Sequence, residues 1–545
     1  MKLKLSNLNH WASWRAAGIG LPAFDHAAVA DRTLASPKWV HFGAGNIFRA
    51  FPAAVLQTLL EAGEEDTGLI VAEGFDTEII DRIYRPCDNL SLLVTLRGDG
   101  KVDKKVVASV TESLAMERSR TEDWDRLTEV FQSPSLQMAS FTITEKGYQL
   151  QDGAGKYFAG VERDLAAGPD EAESYMGKVA ALCYVRYQDG GLPLALVSMD
   201  NFSHNGDRLK SAVLAFAGSW EEKGLTEKGF LSWLQDAEKV SFPWTMIDKI
   251  TPRPDPQIQA VLEADGLEDM APVITEKHTY IAPFVNAEEC EYLVIEDWFP
   301  AGRPALERGG MIFTDRATVD KVERMKVCTC LNPLHTALAV FGCLLSYEKI
   351  ADEMQDPQLR NLVFGLGYEE GLPVVTDPGI IDPAGFIDEV LRVRIPNPFL
   401  PDTPQRIATD TSQKISIRFG ETIKAYQAAP GRDVRTLALV PLVLAGWLRY
   451  LMGVDDRGEA FAVSPDPLWE MLKAHLDGAA ADGSLSAAEA ASKLAPILRN
   501  EKIFGVDLYE AGLAEQVTAY FVEMTAGPGA VRETLEKYVK EYVKE

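Results

Sequence analysis

The chain has 545 residues, 46% of them hydrophobic and 25% charged, which predicts a globular protein with more than one hydrophobic core and so at least two domains. A formal net charge of −27 excludes a nucleic-acid partner, whose phosphates need a basic face, but leaves room for a locally basic pocket. Six cysteines, at 87, 183, 290, 328, 330 and 343, are too sparse for a disulfide scaffold and predict a reducing, cytoplasmic setting.

In chain order, the first twenty residues lack the apolar run and cleavage pattern of a secretory leader. "PKWVHFGAGNIFRAFPAAVLQTLLEAG" reads as strand, glycine turn and helix, and "TGLIVAEGFD" as a second buried strand ending in acids. "LQMASFTITEKGY" and "LPLALVSMDN" are further strand-like runs with helical stretches between them. Alternation of this kind predicts an α/β fold with a largely parallel sheet under helical cover. "CEYLVIEDWFPAGRP" is one more strand, broken by Pro and Gly near residue 300; beyond it the pattern turns helical. The predicted division is a dinucleotide-binding domain over 1–300 and a mostly helical domain over 301–545. In the second, "TLALVPLVLAGWLRYLMG" carries Pro441 and Arg449 and falls short of the ~20 apolar residues of a membrane span. It reads as a buried helix. "LDGAAADGSLSAAEAASKLAPIL" reads as an Ala-rich hairpin of helices on the surface.

Gly43 and Gly45 stand between the first strand and its helix. Glycine permits the tight turn and lets backbone N–H groups approach a pyrophosphate. Phe48 occupies the position of the third glycine in the usual fingerprint, so an ordinary strand-to-helix turn stays open as the alternative. Glu73 or Asp76 is placed to accept hydrogen bonds from ribose hydroxyls, and an acid there favours NAD over NADP. The interval from Gly43 to Glu73 exceeds the usual ~20 residues, and a solvated strand end is the simpler account of either acid. His41 reads as a packing residue.

"MKVCTCLNPLHTALAVFGCLL" groups Lys326, Cys328, Cys330, Asn332 and His335 before an apolar run. One residue between two cysteines is poor spacing for zinc, and no second pair follows, so no metal is expected. Asn332 before Pro333 reads as a helix N-cap. Lysine most often lies on the surface.

Several segments together resemble one family, the polyol-specific long-chain dehydrogenases (the mannitol dehydrogenase family, which includes hexuronate reductases). "HFGAGNIFRAF" resembles its cofactor turn, which brings in Gly43, Gly45, Asn46, Ile47, Phe48 and Arg49. "TITEKGY", "SMDNFSHNGDRLK", "FPWTMIDKITPRP", "VIEDWFPAGRP", "ERMKVCTCLNPLH" and "RIPNP" are similar to its later motifs. The resemblance implies a Rossmann-type N-terminal domain, a helical C-terminal domain, and metal-free hydride transfer between NAD and a secondary alcohol or ketone. It makes Lys326 the general acid/base, with Asn201, Asn332 and His335 around the reacting oxygen. Glu323 then assists proton exchange with solvent, while Arg394, Asp248 and Lys249 contact the substrate.

That chemistry makes sense residue by residue. Oxidising an alcohol removes a hydride and a proton; the nicotinamide takes the first, and a lysine takes the second if burial or a nearby cation lowers its proton affinity. Amide and imidazole N–H groups stabilise the developing oxyanion. A hexuronate adds a carboxylate, for which Arg394, Lys249 and Lys414 are candidate cations. The expected reaction is D-fructuronate reduced to D-mannonate, with mannitol or tagaturonate chemistry and a non-catalytic NAD sensor as alternatives. The expected partner is a small sugar acid or polyol, with neither nucleic acid nor membrane. One departure matters. Five residues, not the family's four, separate Lys326 from Asn332. On a regular helix the nine steps to His335 put the two side chains on opposite faces. The reading therefore requires a loop, a strand end or a π-bulged turn at Lys326, with a regular helix from about Asn332.

Overall fold

The computed structural model describes residues 1–542. They form two compact units: Met1–Arg97 with Lys101–Asp320, and Lys321 onward with the short segment Gly98–Gly100. The division falls between Asp320 and Lys321, about 20 residues past the Pro/Gly break near residue 300 that the sequence suggests.

The first unit is built on a six-stranded sheet. Its strands are β1 (Trp39–Phe42), β2 (Leu69–Glu73), β3 (Val110–Ala115), β4 (Met138–Phe141), β5 (Leu194–Ser198) and β6 (Val240–Ser241). All neighbours run parallel, and the order is β3-β2-β1-β4-β5-β6. This is the doubly wound order of dinucleotide-binding domains, with its switch point between β1 and β4. Both faces are covered, so β2 and β5 read as apolar runs up to their last residues, Glu73 and Ser198, and β1 as one interrupted only by His41, rather than as alternating strands. Val40 and Phe42 join one core, with α3 (Thr121–Gln132), α4 (Tyr175–Gln188) and α5 (Asn205–Glu222). Trp39, Leu69 and Val71 face the other, where Leu56 and Leu59 of α2 (Pro52–Ala62) pack. Preceding α2 is the short helix α1 (Asn46–Ala50); Phe51, at φ −126°, separates the two. Two helices in one crossover account for the long interval between the glycine turn and Glu73. A mixed sheet (Ile19–Gly20, Ser91–Leu96, Val102–Val107, Phe284–Glu288), a three-stranded one (Thr245–Asp248, Tyr292–Glu296, Ile312–Thr314) and a two-stranded one (Val273–Ile274, Tyr280–Ile281) complete the unit.

The second unit is helical. Helix α6 (Arg316–Met325), inside which the division falls, runs into a five-residue π-helical turn, Lys326–Cys330, and α7 (Asn332–Leu344) follows. Among the described residues Arg316–Leu344 is the one helix long and apolar enough to cross a membrane, and most of its apolar window is buried, as in a core helix. Helix α8 (Leu439–Tyr450) is buried along its whole length and packs against α7 and α9 (Ala514–Met524). Its Arg449 is satisfied by the carbonyl oxygens of Met524, Val454 and Asp455. The Ala-rich stretch begins at the end of the helix Trp469–Leu476 and leads into Ala487–Leu498, and the two helices pack together as a hairpin. Ser486 and Glu489 close a capping box at the start of the second, and Gly483 at φ +80° belongs to the loop before it. Three further π turns lie in this unit, at Gly365–Gly371, Val390–Arg394 and Ser416–Gly420.

Candidate active site

On the first unit the site grows from the end of β1. Gly43 has φ +107°, and a Cβ there would lie 2.2 Å from the Thr142 carbonyl oxygen at the end of β4, so the fold itself demands glycine. Gly45 differs: a Cβ there would meet no atom within 4 Å, and no side chain caps the helix it opens. Of the two glycines, the second leaves space above a helix N-terminus, which fits the close approach of a dinucleotide phosphate.

The turn is held on both sides. Ala44 N donates to Glu73 Oε2 at 2.8 Å, and Tyr84 Oη donates to the Ala44 carbonyl oxygen at 3.1 Å. Glu73 Oε1 also accepts from the N–H groups of Phe75 and Asp76. Asp76 Oδ2 accepts from Thr275 Oγ1 at 2.6 Å. Both acids named for the ribose are therefore buried and shape the turn, and their charge stands beside it. Asn46 accepts from Arg49, whose other guanidinium nitrogen donates to the Ala282 carbonyl oxygen; Arg49 and Phe48 are fully buried, and Ile47 half-buried. His41 sits in the core between Ser140 and Thr142, stacked on Phe48, and burial lowers it to about 3.

Asn201 is exposed just past β5. Its neighbour Asp200 is buried and accepts from the N–H groups of Ile143 and Thr144 and from Tyr148 Oη, which ties the ends of β4 and β5 together. Thr144 is thereby held at φ +62°, a left-handed conformation costly for a β-branched residue. Asn205 is fully buried and bonds Thr245 and the Asp200 carbonyl oxygen, so it braces the loop that carries Asn201. Asp248 is buried in the strand Thr245–Asp248. Lys249 is committed inside the unit, 2.7 Å from Glu291 and donating to the Glu288 carbonyl oxygen.

On the second unit the backbone answers the spacing problem. Lys326, 4% exposed, opens the π turn; Leu331 at φ −129° breaks the path; Pro333 then sits in the first turn of α7. A π turn absorbs one extra residue. Nine steps then advance as about eight, and Lys326 and His335 stand about 80° apart rather than about 180°. Asn332 and His335 are half-buried, and Glu323 lies one turn before Lys326. Cys328 and Cys330 are buried; Cys330 donates weakly to the Pro383 carbonyl oxygen, and burial raises its thiol. They pack rather than react.

His335 Nε2 lies 3.4 Å from Asp402 Oδ2, yet burial, with the positive charges of Arg418, Arg406 and Arg394, lowers its pKa to about 3. Asp402 also pairs with Arg406. Arg394 closes its own π turn and is 4% exposed. Arg418 lies in a third, and burial lowers it to about 10. Lys414, lowered by burial and by Arg418, donates to the Thr409 carbonyl oxygen. Arg406 and Arg418 are absent from the sequence reading; the signal available was the four-residue spacing from Lys414 to Arg418, which puts both on one helical face.

Comparison with known proteins follows both units. Residues 37–308 match the model of the mannitol dehydrogenase Rossmann domain, and residues 318–525 that of the mannitol dehydrogenase C-terminal domain. A D-mannonate oxidoreductase of Thermotoga maritima is 54% identical over 541 residues, covering 99% of each chain. The D-mannonate oxidoreductase of Escherichia coli is 29% identical, over 85% of this chain and 89% of that one. Among solved structures, Pseudomonas fluorescens mannitol 2-dehydrogenase in a ternary complex with NAD and D-mannitol has a TM-score of 0.67 and 26% identity, covering 99% of this chain and 100% of that one.

Proposed function

The chain belongs to the mannitol dehydrogenase family, and from that premise we propose that it moves hydride between NAD(H) and a secondary alcohol of a sugar acid, interconverting D-mannonate and D-fructuronate. The observation that carries a sugar acid over a neutral polyol is the basic surrounding of His335: three arginines act on one buried imidazole in a chain of net charge −27. Of these, Arg406 is paired with Asp402, whereas Arg418 has, among the described residues, no carboxylate within ion-pair distance, and a largely buried cation of that kind is costly unless an anion is to be bound. The 54% identity to a D-mannonate oxidoreductase supports the same reading.

Bound NAD supplies the hydride acceptor. Gly43 and Gly45, with Asn46, Ile47, Phe48 and Arg49, form the turn that would hold its phosphates, and the acids Glu73 and Asp76 beside it disfavour a 2′-phosphate. Lys326 takes the hydroxyl proton, and Glu323 passes it to solvent. Asn332 and His335 donate to the reacting oxygen, which is stabilised as its charge develops. By the family pattern Asn201 orients a substrate hydroxyl and Asp248 and Arg394 contact the substrate; Lys249 serves the fold. The test is NADH oxidation against D-fructuronate, D-tagaturonate and D-fructose, repeated with NADPH. D-Fructuronate with NADH should give the highest kcat/KM. A preference for D-fructose would sink the sugar-acid reading, and binding of NADH with no turnover of any substrate would point to a sensor.

A further inference from the structure

Arg418 is one of the three cations near His335, and no step described above gives it a role of its own. The π turn that carries it, Ser416–Gly420, packs against the Lys326–Cys330 turn and against α7. Its guanidinium donates to Thr336 Oγ1, and that hydroxyl donates to the Asn332 carbonyl oxygen at 2.8 Å. The cation is thus fixed at the first turn of the helix that presents Asn332 and His335.

What it lacks is an anion. Among the described residues no carboxylate lies within ion-pair distance of Arg418, and burial alone accounts for its lowered proton affinity. Other arginines of the same unit are satisfied: Arg449 by three carbonyl oxygens, Arg406 by Asp402, Arg532 by Asp356 and Gln358. A largely buried guanidinium with one neutral partner is unfavourable in the absence of a ligand, and its planar fork matches a carboxylate. Nearby Lys414 adds a second positive charge, with Asp410 and Asp466 the acids that act on it.

We infer that Arg418, with Lys414 beside it, is the subsite for the carboxylate of the sugar acid and sets the preference for acids over neutral ketoses. The inference rests on the sugar-acid reading. In D-fructuronate the carboxylate lies four carbon–carbon bonds from the ketone, so a cation anchored near, but not on, the residues at the reacting oxygen is the arrangement required.

The test compares wild type with Arg418→Met and Arg418→Lys. The ratio of kcat/KM for D-fructuronate to that for D-fructose should fall about 100-fold in Arg418→Met, mainly through KM for the acid, and less in Arg418→Lys. An unchanged ratio overturns the subsite, whether or not both rates drop. Thermal protection by D-mannonate is read separately. Protection of wild type that vanishes in Arg418→Met supports the subsite even if D-mannonate is not oxidised, an outcome that would sink the catalytic reading alone. Protection that survives in Arg418→Met, or none in wild type, overturns it.

Discussion

Burial and three arginines hold the His335 pKa to about 3, so at any ordinary assay pH the imidazole is neutral and acts as a hydrogen-bond partner rather than an acid. The sign for stability follows from the same shift. Unfolded histidine titrates near 6.5, so the unfolded state gains a proton first as pH falls, and the contribution of His335 is complete above that value and lost on the way down to about 3. Activity should behave differently from stability. His335→Asn is expected to lower kcat about 10- to 100-fold through the lost contact to the oxyanion, with no limb removed from the kcat/KM profile between pH 5 and 9. A limb near pH 6 that disappears in the variant would show that His335 titrates in the working enzyme. At this scale the sequence identified residue types well and environments poorly. The motifs picked out Lys326, His335 and Arg394 as candidates, and the fold puts each on the helical unit. The commitment of Lys249 to Glu291, and of Glu73 to the Ala44 N–H, was not legible in the sequence, because those partners come from distant segments.

The elements that matter most in the second unit are π turns. Lys326, Arg394 and Arg418 each lie in one, and a π turn re-aims side chains that a regular helix would scatter. The odd spacing in "KVCTCLNPLH" announced the first of them, since nine regular steps could not serve one site. The others left no comparable mark, because nothing in "VLRVR" or "SIRFG" fixes a phase. Glycines hold these turns in place. A Cβ on Gly420 would lie 2.1 Å from the Phe504 carbonyl oxygen, and one on Gly371 2.8 Å from Thr329 Cγ2 in the Lys326 turn. Gly420→Ala should therefore destabilise the second unit by about 1–3 kcal/mol and raise KM for the acid through displacement of Arg418. Urea unfolding and steady-state kinetics on the same preparation check both, and a stability equal to that of wild type would mean that the turn moves freely. The doubly wound sheet was readable from its apolar strands. The mixed and three-stranded sheets were not, because their strands pair across long sequence intervals, Phe284–Glu288 with Ser91–Leu96 for instance.

For the whole molecule, the net charge of −27 repels polyanions generally, and the proposed binding of one small anion falls to the local basic cluster around His335. The two units divide the parts: a sheet whose switch point carries the glycine turn, and a helical body that carries Lys326, the proposed proton-transfer residue. Both follow from the order of apolar runs along the chain, whereas the placing of the division at Asp320 depends on how α6 packs and is not written in the Pro/Gly break near residue 300. The proposed reaction needs Lys326 as the group that moves the proton. The direct measurement is NADH oxidation by D-fructuronate in wild type and Lys326→Ala, with NADH affinity measured on both. The prediction is turnover reduced about 10³-fold in the variant with NADH affinity kept. Turnover within tenfold of wild type, at unchanged NADH affinity, would contradict it.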